Sequence, residues 1–516
     1  MTMRKSVFLI LTAMFCISSQ ITAQNAPISH EATLEGYTLN ELSTPFWLKN
    51  NLYGNAPLKG ISLGLNWKSE KKYNIEHLLL NGGEKPKNNY NYDFDENAYD
   101  WGGAVEMRGN FSANDYQLKL IQAYAKVKLD KFEIKLGRSR DIMGYVGDSS
   151  LSSGSFAVSG NALGIPKISL GTYDFYSVPF TDDFFAVKAN IAHGFLGNTQ
   201  VNVDDSIKEV NTNFHQASLY LRFGKPTSVL NFIAGMNHQT FWGHEKDVYG
   251  TGAEMSFLEG FWRAAIANGF DVSSSNGKES HSYIGNHLGT IDVAAEVKLP
   301  ETIIRLYKQN FYDMGGLFKL ANIADGLYGI AYINQKEPGT TTSCRKIVIE
   351  VLNSKNQAGG PNAPANISFA ENYYNHHLYT NGWSYGGQVL GNPFLSMKKD
   401  VKNGQVSYPK ESFINNRVFM LHLGTELMMG DWTIKTKLSY SDNLGTYSTS
   451  ATGLRVNGIT RLPTAGIFNR VNQFSGYISA ERSFDDKYLI GIVGGMDSGD
   501  LLDNSSGLGM SLKILF

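Results

Sequence analysis

The sequence predicts an all-β protein, a single transmembrane antiparallel β-barrel whose long extracellular loops fold over or into its lumen. Three observations carry this prediction. Apolar and polar residues alternate at a two-residue period along much of the chain, the signature of strands with one oily face and one wet face. Short and long connections take turns between these segments, as periplasmic turns and outer loops do in such barrels. Beyond the N-terminal segment, no stretch is long and apolar enough to cross a membrane as a helix. A sheet in lipid must then close, because lipid cannot satisfy open backbone groups.

The last nine residues show the pattern most plainly. Leu508, Met510, Leu512, Ile514 and Phe516 share one face; Gly509, Ser511, Lys513 and Leu515 share the other. A strand ending on Phe at an oily position suits a closing strand against lipid. Two apolar sandwich domains would also bury such rows, but Lys and Gln interleave along too many strands to favour them.

From the N-terminus, Arg4 and Lys5 precede a short apolar run over 7–17, and Ala23 stands before Gln24. This reads as a signal peptide over 1–23, leaving 24–516 as one barrel domain. Phe15 before Cys16 argues against a lipoprotein site. Cleavage removes Cys16 and leaves Cys344 alone, which excludes an intramolecular disulfide. Over 121–129 the odd positions are apolar. A tight turn at Asp130 follows, and Phe132, Ile134 and Leu136 then oppose Lys131, Glu133 and Lys135. Ala217, Leu219, Leu221 and Phe223 form another oily row, and Leu230, Phe232, Ala234 and Met236 the next. Near the C-terminus, Trp432, Ile434, Thr436, Leu438 and Tyr440 share a face after a turn at Gly430-Asp431. Phe474, Gly476, Ile478 and Ala480 continue the pattern, and Asp485-Asp486 leads into Tyr488, Ile490 and Ile492. Counting back from a periplasmic C-terminus makes 430–431 and 485–486 periplasmic and 441–467 and 497–506 extracellular.

Composition agrees. Of 516 residues, 53 are Gly, 27 Tyr and 29 Phe, and only 18% are charged, which favours strands and turns over helices. The net charge of -1 gives no electrostatic case for nucleic acid. Long polar stretches cover 81–101, 141–182, 199–213, 268–285, 335–345, 353–385 and 393–411. They are too extensive for simple turns and are expected to cover or fill the outer mouth.

Three segments carry a resemblance. Gly137-Arg138 is followed by Gly147-Asp148-Ser149-Ser150-Leu151-Ser152-Ser153-Gly154-Ser155. Next come Ser159-Gly160-Asn161-Ala162, Ile165-Pro166-Lys167-Ile168, Val178-Pro179-Phe180-Thr181 and His193-Gly194-Phe195. Further on stand Leu306-Tyr307-Lys308-Gln309 and Ala324-Asp325-Gly326-Leu327-Tyr328-Gly329. The last is Asn381-Gly382-Trp383-Ser384-Tyr385-Gly386-Gly387 with Gly391-Asn392-Pro393. This order resembles the Wzi-type capsule assembly family, especially its Bacteroidetes-like branch, over most of the mature chain. The resemblance implies an outer-membrane barrel of about 18 strands with occluding outer loops. It also implies a lectin-like, non-catalytic role: anchoring or organising capsular or exported polysaccharide at the cell surface. The partners so implied are that polysaccharide, outer-membrane lipid and the capsule export machinery, with no cofactor. Some members carry a helical bundle at the periplasmic end. Here 43–48 leads quickly into strand-like 61–67, which leaves little room for one. The alternative is a sugar-selective porin, with an open path lined by inward Lys, Gln and Tyr.

The Ser- and Gly-rich stretch 147–161 lacks a Gly-x-Ser-x-Gly elbow and a placeable His or Asp partner. It is expected to be a tight loop that blocks the lumen, with Gly supplying unusual backbone angles and Ser bonding nearby backbone; the alternative is direct glycan contact by these hydroxyls. Sugar recognition pairs aromatic rings with polar side chains. Two stretches read as outer loops have that make-up: one carries Tyr90, Tyr92 and Trp101, the other Tyr373, Tyr374, Tyr379, Trp383 and Tyr385. The same rings equally suit loop packing or an interfacial girdle. No metal is expected, since adjacent His376 and His377 rarely converge on one ion. For His193 a structural hydrogen bond is expected.

Overall fold

The computed structural model describes residues 27–516 except 41, 75–98, 204–205, 244, 246–254, 274–278, 337–341, 367–369 and 486. Its frame is a closed antiparallel barrel of 18 strands. The first six are β1 (Ser29–Leu39), β2 (Ile61–Lys71), β3 (Tyr99–Ser112), β4 (Tyr116–Leu129), β5 (Phe132–Arg138) and β6 (Lys167–Thr172). Then follow β7 (Phe185–Val203), β8 (Ser206–Phe223), β9 (Leu230–Trp242), β10 (Asn286–Leu299), β11 (Thr302–Tyr312) and β12 (Gly326–Asn334). The circuit ends with β13 (Ser343–Asn353), β14 (Val418–Met429), β15 (Trp432–Asn443), β16 (Val471–Phe484), β17 (Tyr488–Gly499) and β18 (Ser505–Leu515). The two-residue piece Tyr176–Ser177 continues β6 along β7. Closure comes from β1 against β18, in register from Glu31↔Leu515 to Leu39↔Gly507.

The two-residue beat sorts the wall as expected. Leu508, Met510 and Phe516 are exposed on the outside, as are Phe132, Ile134 and Leu136. Inside, Arg108 pairs with Glu35, and the Gln122 amide donates to Glu106 at 2.8 Å. Charged groups on the wet face thus find partners, which a membrane barrel needs. One row departs from expectation. Ile121 is buried because the β3–β4 register shifts beside it, and this bulge flips the face of everything before it. Tyr116, Leu118 and Leu120 therefore face outward at even positions, and Val127 and Leu129 at odd ones.

Turns at Asp130 (φ 52°), Gly430 (φ 56°) and Asp485 (φ 54°) gather at one end, together with both chain termini. Longer connections dominate the other end, which is therefore the extracellular one. Three polar stretches sit differently from expectation. The 72–98 connection, the 335–342 connection and the 178–184 turn all join strands at the periplasmic end. Length alone does not assign a loop to a side; only the parity of the strand count does.

Two α-helices occur among the described residues. The short α1 (Phe46–Lys49) lies in the outer β1–β2 connection, with Phe46, Trp47 and Leu48 buried. The second, α2 (Phe257–Ala265), follows β9. Its Phe257, Leu258, Phe261, Trp262 and Ala265 recur at helical spacing, a signal lost among the polar stretches around it.

Candidate functional site

The outer half of the lumen is filled. The β5–β6 connection, 139–166, dives inward and is pinned to the inner wall. The Ser152 hydroxyl and the Ser153 amide donate to the two Glu350 oxygens at 2.7 and 2.6 Å. The Tyr307 hydroxyl donates to the same carboxylate at 2.6 Å. Arg305 donates to the Gly147 carbonyl at 2.9 Å, and Lys346 lies 3.0 Å from Asp148. Asp148 is held below the ordinary carboxylate range. Burial opposes this shift, but hydrogen bonds from Ser150 and the Lys346 ammonium outweigh it. Gly160 adopts φ 81°, and a Cβ there would come within 2.6 Å of the Tyr53 ring, so only glycine fits the close approach.

His422 clamps the plug from below. Its Nε2 lies 2.7 Å from the Leu151 carbonyl oxygen and its Nδ1 2.8 Å from Ser439 Oγ. A carbonyl only accepts, so Nε2 carries the proton and Nδ1 accepts from Ser439. Trp47 Nε1 donates to the same hydroxyl at 3.2 Å. This Ser–His pair is buried under the plug, and its geometry serves attachment.

A second inward connection, 354–417, packs onto the first. Phe156 stacks on Phe311 at 3.9 Å with planes 9° apart, and Trp383 stacks on Phe241 at 4.3 Å and 8°. Trp383 Nε1 donates to the Ala157 carbonyl at 2.8 Å, and Tyr374 donates to the Phe156 carbonyl. The Asn392 side chain donates to the Gly154 carbonyl at 2.6 Å. The Tyr373 hydroxyl donates to Asp325 at 3.0 Å, and the Tyr379 hydroxyl to the Phe241 carbonyl at 2.7 Å. Two voids between plug and wall are small: about 10 Å³ beside Gly160 and Lys167, and about 40 Å³ beside Phe46 and Asp497. Such spaces hold a few waters at most.

The candidate aromatics separate into four groups. Tyr90 and Tyr92 lie outside the described residues. Trp101 is 47% exposed on the outward face of β3, paired with Val127 near the Asp130 turn. That is the periplasmic rim, not an outer loop, and beside Tyr99 it suits the interfacial girdle. Tyr373, Tyr374, Tyr379 and Trp383 are 0%, 1%, 2% and 0% exposed, so sugar cannot reach them and they hold the plug together. Tyr385 alone remains half-buried at the mouth, its hydroxyl accepting from Arg138 at 3.1 Å.

The family-motif residues divide too. Gly147, Asp148, Ser152, Ser153, Gly154, Ser155, Gly160, Asn161 and Pro166 share the plug connection. Pro179 sits in the turn at the opposite end. His193 is within β7, facing outward, and neither ring nitrogen has a hydrogen-bond partner among the described residues. Its expected structural hydrogen bond is absent there; aromatic rings surround it instead. Sequence does not single out Glu350 and His422, because a polar residue on the inner face is what a watery lumen would show anyway.

No protein-family model and no curated protein matches this chain. Among solved structures it is similar to Wzi, an outer-membrane protein involved in group 1 capsule assembly in Escherichia coli and described as a carbohydrate-binding β-barrel. The identity is 14%, over 94% of this chain and 84% of that one, with a TM-score of 0.51. A weaker likeness, TM-score 0.43 at 9% identity, links it to Acinetobacter baumannii OccAB4 over 96% of this chain and 99% of that one. At such identities the likeness is one of fold. The chain is an outer-membrane β-barrel.

Proposed function

We propose that this barrel holds capsular or exported polysaccharide at the cell surface, as a lectin-like protein that does not cut it. In this reading residues 24–516 work as one unit after removal of 1–23. The observation that carries it is the filled lumen. A porin needs a continuous wet path, whereas here stacked rings and the Glu350 anchor occupy the outer half of the barrel. Buried Ser hydroxyls tied to Glu350 and to backbone also speak against nucleophilic chemistry. The polysaccharide class rests on the motif resemblance and on the fold likeness to a carbohydrate-binding barrel. With the buried rings removed from consideration, Tyr385 is the candidate aromatic left among the described residues to meet glycan at the mouth.

The test is binding of purified full-length protein to capsular polysaccharide, alongside release of surface glycan from cells lacking the gene. Retention by wild-type cells and shedding by deletion cells supports the reading. Absence of binding to any polysaccharide, together with steady ion current, favours the sugar-selective porin.

A further inference from the structure

The outward face of the wall carries an unusual polar row near its outer end. His193 of β7 pairs with His215 of β8, His215 with Thr240 of β9, and Thr240 with His287 of β10. Each sits in the same outward register as exposed apolar residues of its strand, such as Ile191, Leu219, Met236 and Ile291. His238 lies two residues from Thr240 on that face, and Tyr312 of β11 reaches across Gly289 to place its hydroxyl 2.9 Å from His238 Nδ1. Imidazoles and hydroxyls pointing at hydrocarbon are costly, and something must cover them.

The cover is α2. Its N-terminus is capped by Ser256, which accepts from the Glu259 amide at 3.2 Å. Arg263 and Glu259 pair at 2.9 Å along one edge. Gly260 lets the helix lie close on Trp242, since a Cβ there would sit 2.7 Å from that ring. Phe257 and Phe261 pack edge-on to His193, and Phe261 also to His215, with centroids 5.2–5.7 Å apart. The opposite side of the helix is apolar as well: Leu258, Trp262 and the following Ile266 are 69%, 60% and 66% exposed.

We propose that α2 is an interfacial anchor lying flat in the outer leaflet. It seals the polar row from the lipid and presents Leu258, Trp262 and Ile266 to acyl chains. Two features commit the outer side to lipid. The helix lies on the outside of a membrane barrel, and its apolar surface continues the exposed row of Ile191, Phe195 and Leu219. An aromatic–aliphatic face with a short charged edge is the make-up of helices that rest at the headgroup boundary.

The test uses the full-length protein in phosphatidylcholine–phosphatidylglycerol vesicles, in a Cys344→Ser background. Nitroxide labels go on Leu258→Cys or Trp262→Cys, with Leu219→Cys as the lipid-facing reference and Lys208→Cys as the aqueous one. Each variant is first checked for heat-modifiable migration as a folded barrel. Collisions with oxygen and with a water-soluble nickel chelate are then compared. Labels at 258 and 262 that favour oxygen over nickel like the 219 label support the anchor. A label that meets nickel as readily as the 208 label, or that is shielded from both reagents, overturns it; the second outcome would mean a protein surface covers the helix. Two label positions keep the result independent of one variant's folding, and neither readout depends on polysaccharide binding.

Discussion

Glu350→Ala tests how the plug is held. The carboxylate accepts from three donors, the Ser152 hydroxyl, the Ser153 amide and the Tyr307 hydroxyl, at 2.6–2.7 Å. Glu350 and Ser153 are fully buried, so no bulk water replaces the lost acceptor. Hydrogen bonds to a charged group contribute about 1.5–3 kcal/mol each. Three that share one carboxylate are not additive, so the plug should lose on the order of 4 kcal/mol of local stability. Since about 1.4 kcal/mol is tenfold, amide exchange over 150–156 should speed up by roughly a thousandfold, while the wall strands keep their protection. Tyr307→Phe removes only one donor and should raise exchange by about tenfold. Hydrogen exchange read by mass spectrometry on the folded barrel measures both. Unchanged exchange over 150–156 in Glu350→Ala would refute the anchoring argument, because nothing else in it depends on that carboxylate.

Other expectations follow from the same geometry. Gly160→Val meets both a left-handed φ of 81° and the Tyr53 ring, so the plug should loosen by about 2 kcal/mol or more, read as faster exchange over 158–162 with the barrel still heat-modifiable. Asp325, buried beneath the outer connections, has its carboxyl pushed up to about 6, chiefly by burial. Its folded value lies above its unfolded one, so its stabilisation is complete below about pH 4 and is lost as pH rises through about 6. The loss is on the order of 3 kcal/mol. The Asn356 and Gln357 amides, which donate to it at 3.0 and 2.7 Å, should then open more at pH 8 than at pH 5 after correction for intrinsic exchange. Trp101→Ala should leave polysaccharide retention unchanged, because the ring sits at the periplasmic rim. Tyr385→Ala should weaken glycan affinity by about two- to tenfold, the worth of one aromatic contact, in a solution binding assay.

The wall was legible because lipid and water impose opposite demands on alternate residues. Rows such as 508–514 and 132–136 satisfy both demands without exception. Ile121 was not legible, since one extra residue at a bulge reverses the phase and leaves the composition unchanged. The plug is legible in Gly154, Gly160 and the surrounding serines, for which a tight inward loop is expected ahead of direct glycan contact by the hydroxyls. Its fastening to Glu350 and His422 was hidden, because an inner-face carboxylate has the same sequence signature whether it meets water or a serine. Rings were the hardest to place. A Tyr-Tyr-Asn cluster beside Trp383 has the make-up of a sugar platform and of a packed core alike, and burial decides between them. Trp101 was misplaced for a topological reason: a long connection at the periplasmic end breaks the usual correlation of length with side.

Planar-bilayer recording of the purified wild-type barrel bears most directly on the filled lumen. The stacked rings of Phe156, Phe311, Trp383 and Phe241 across the mouth predict a silent trace, with no steady unitary current at moderate voltage. Stable, single-sized openings in most insertions would show that ions pass where these side chains are placed.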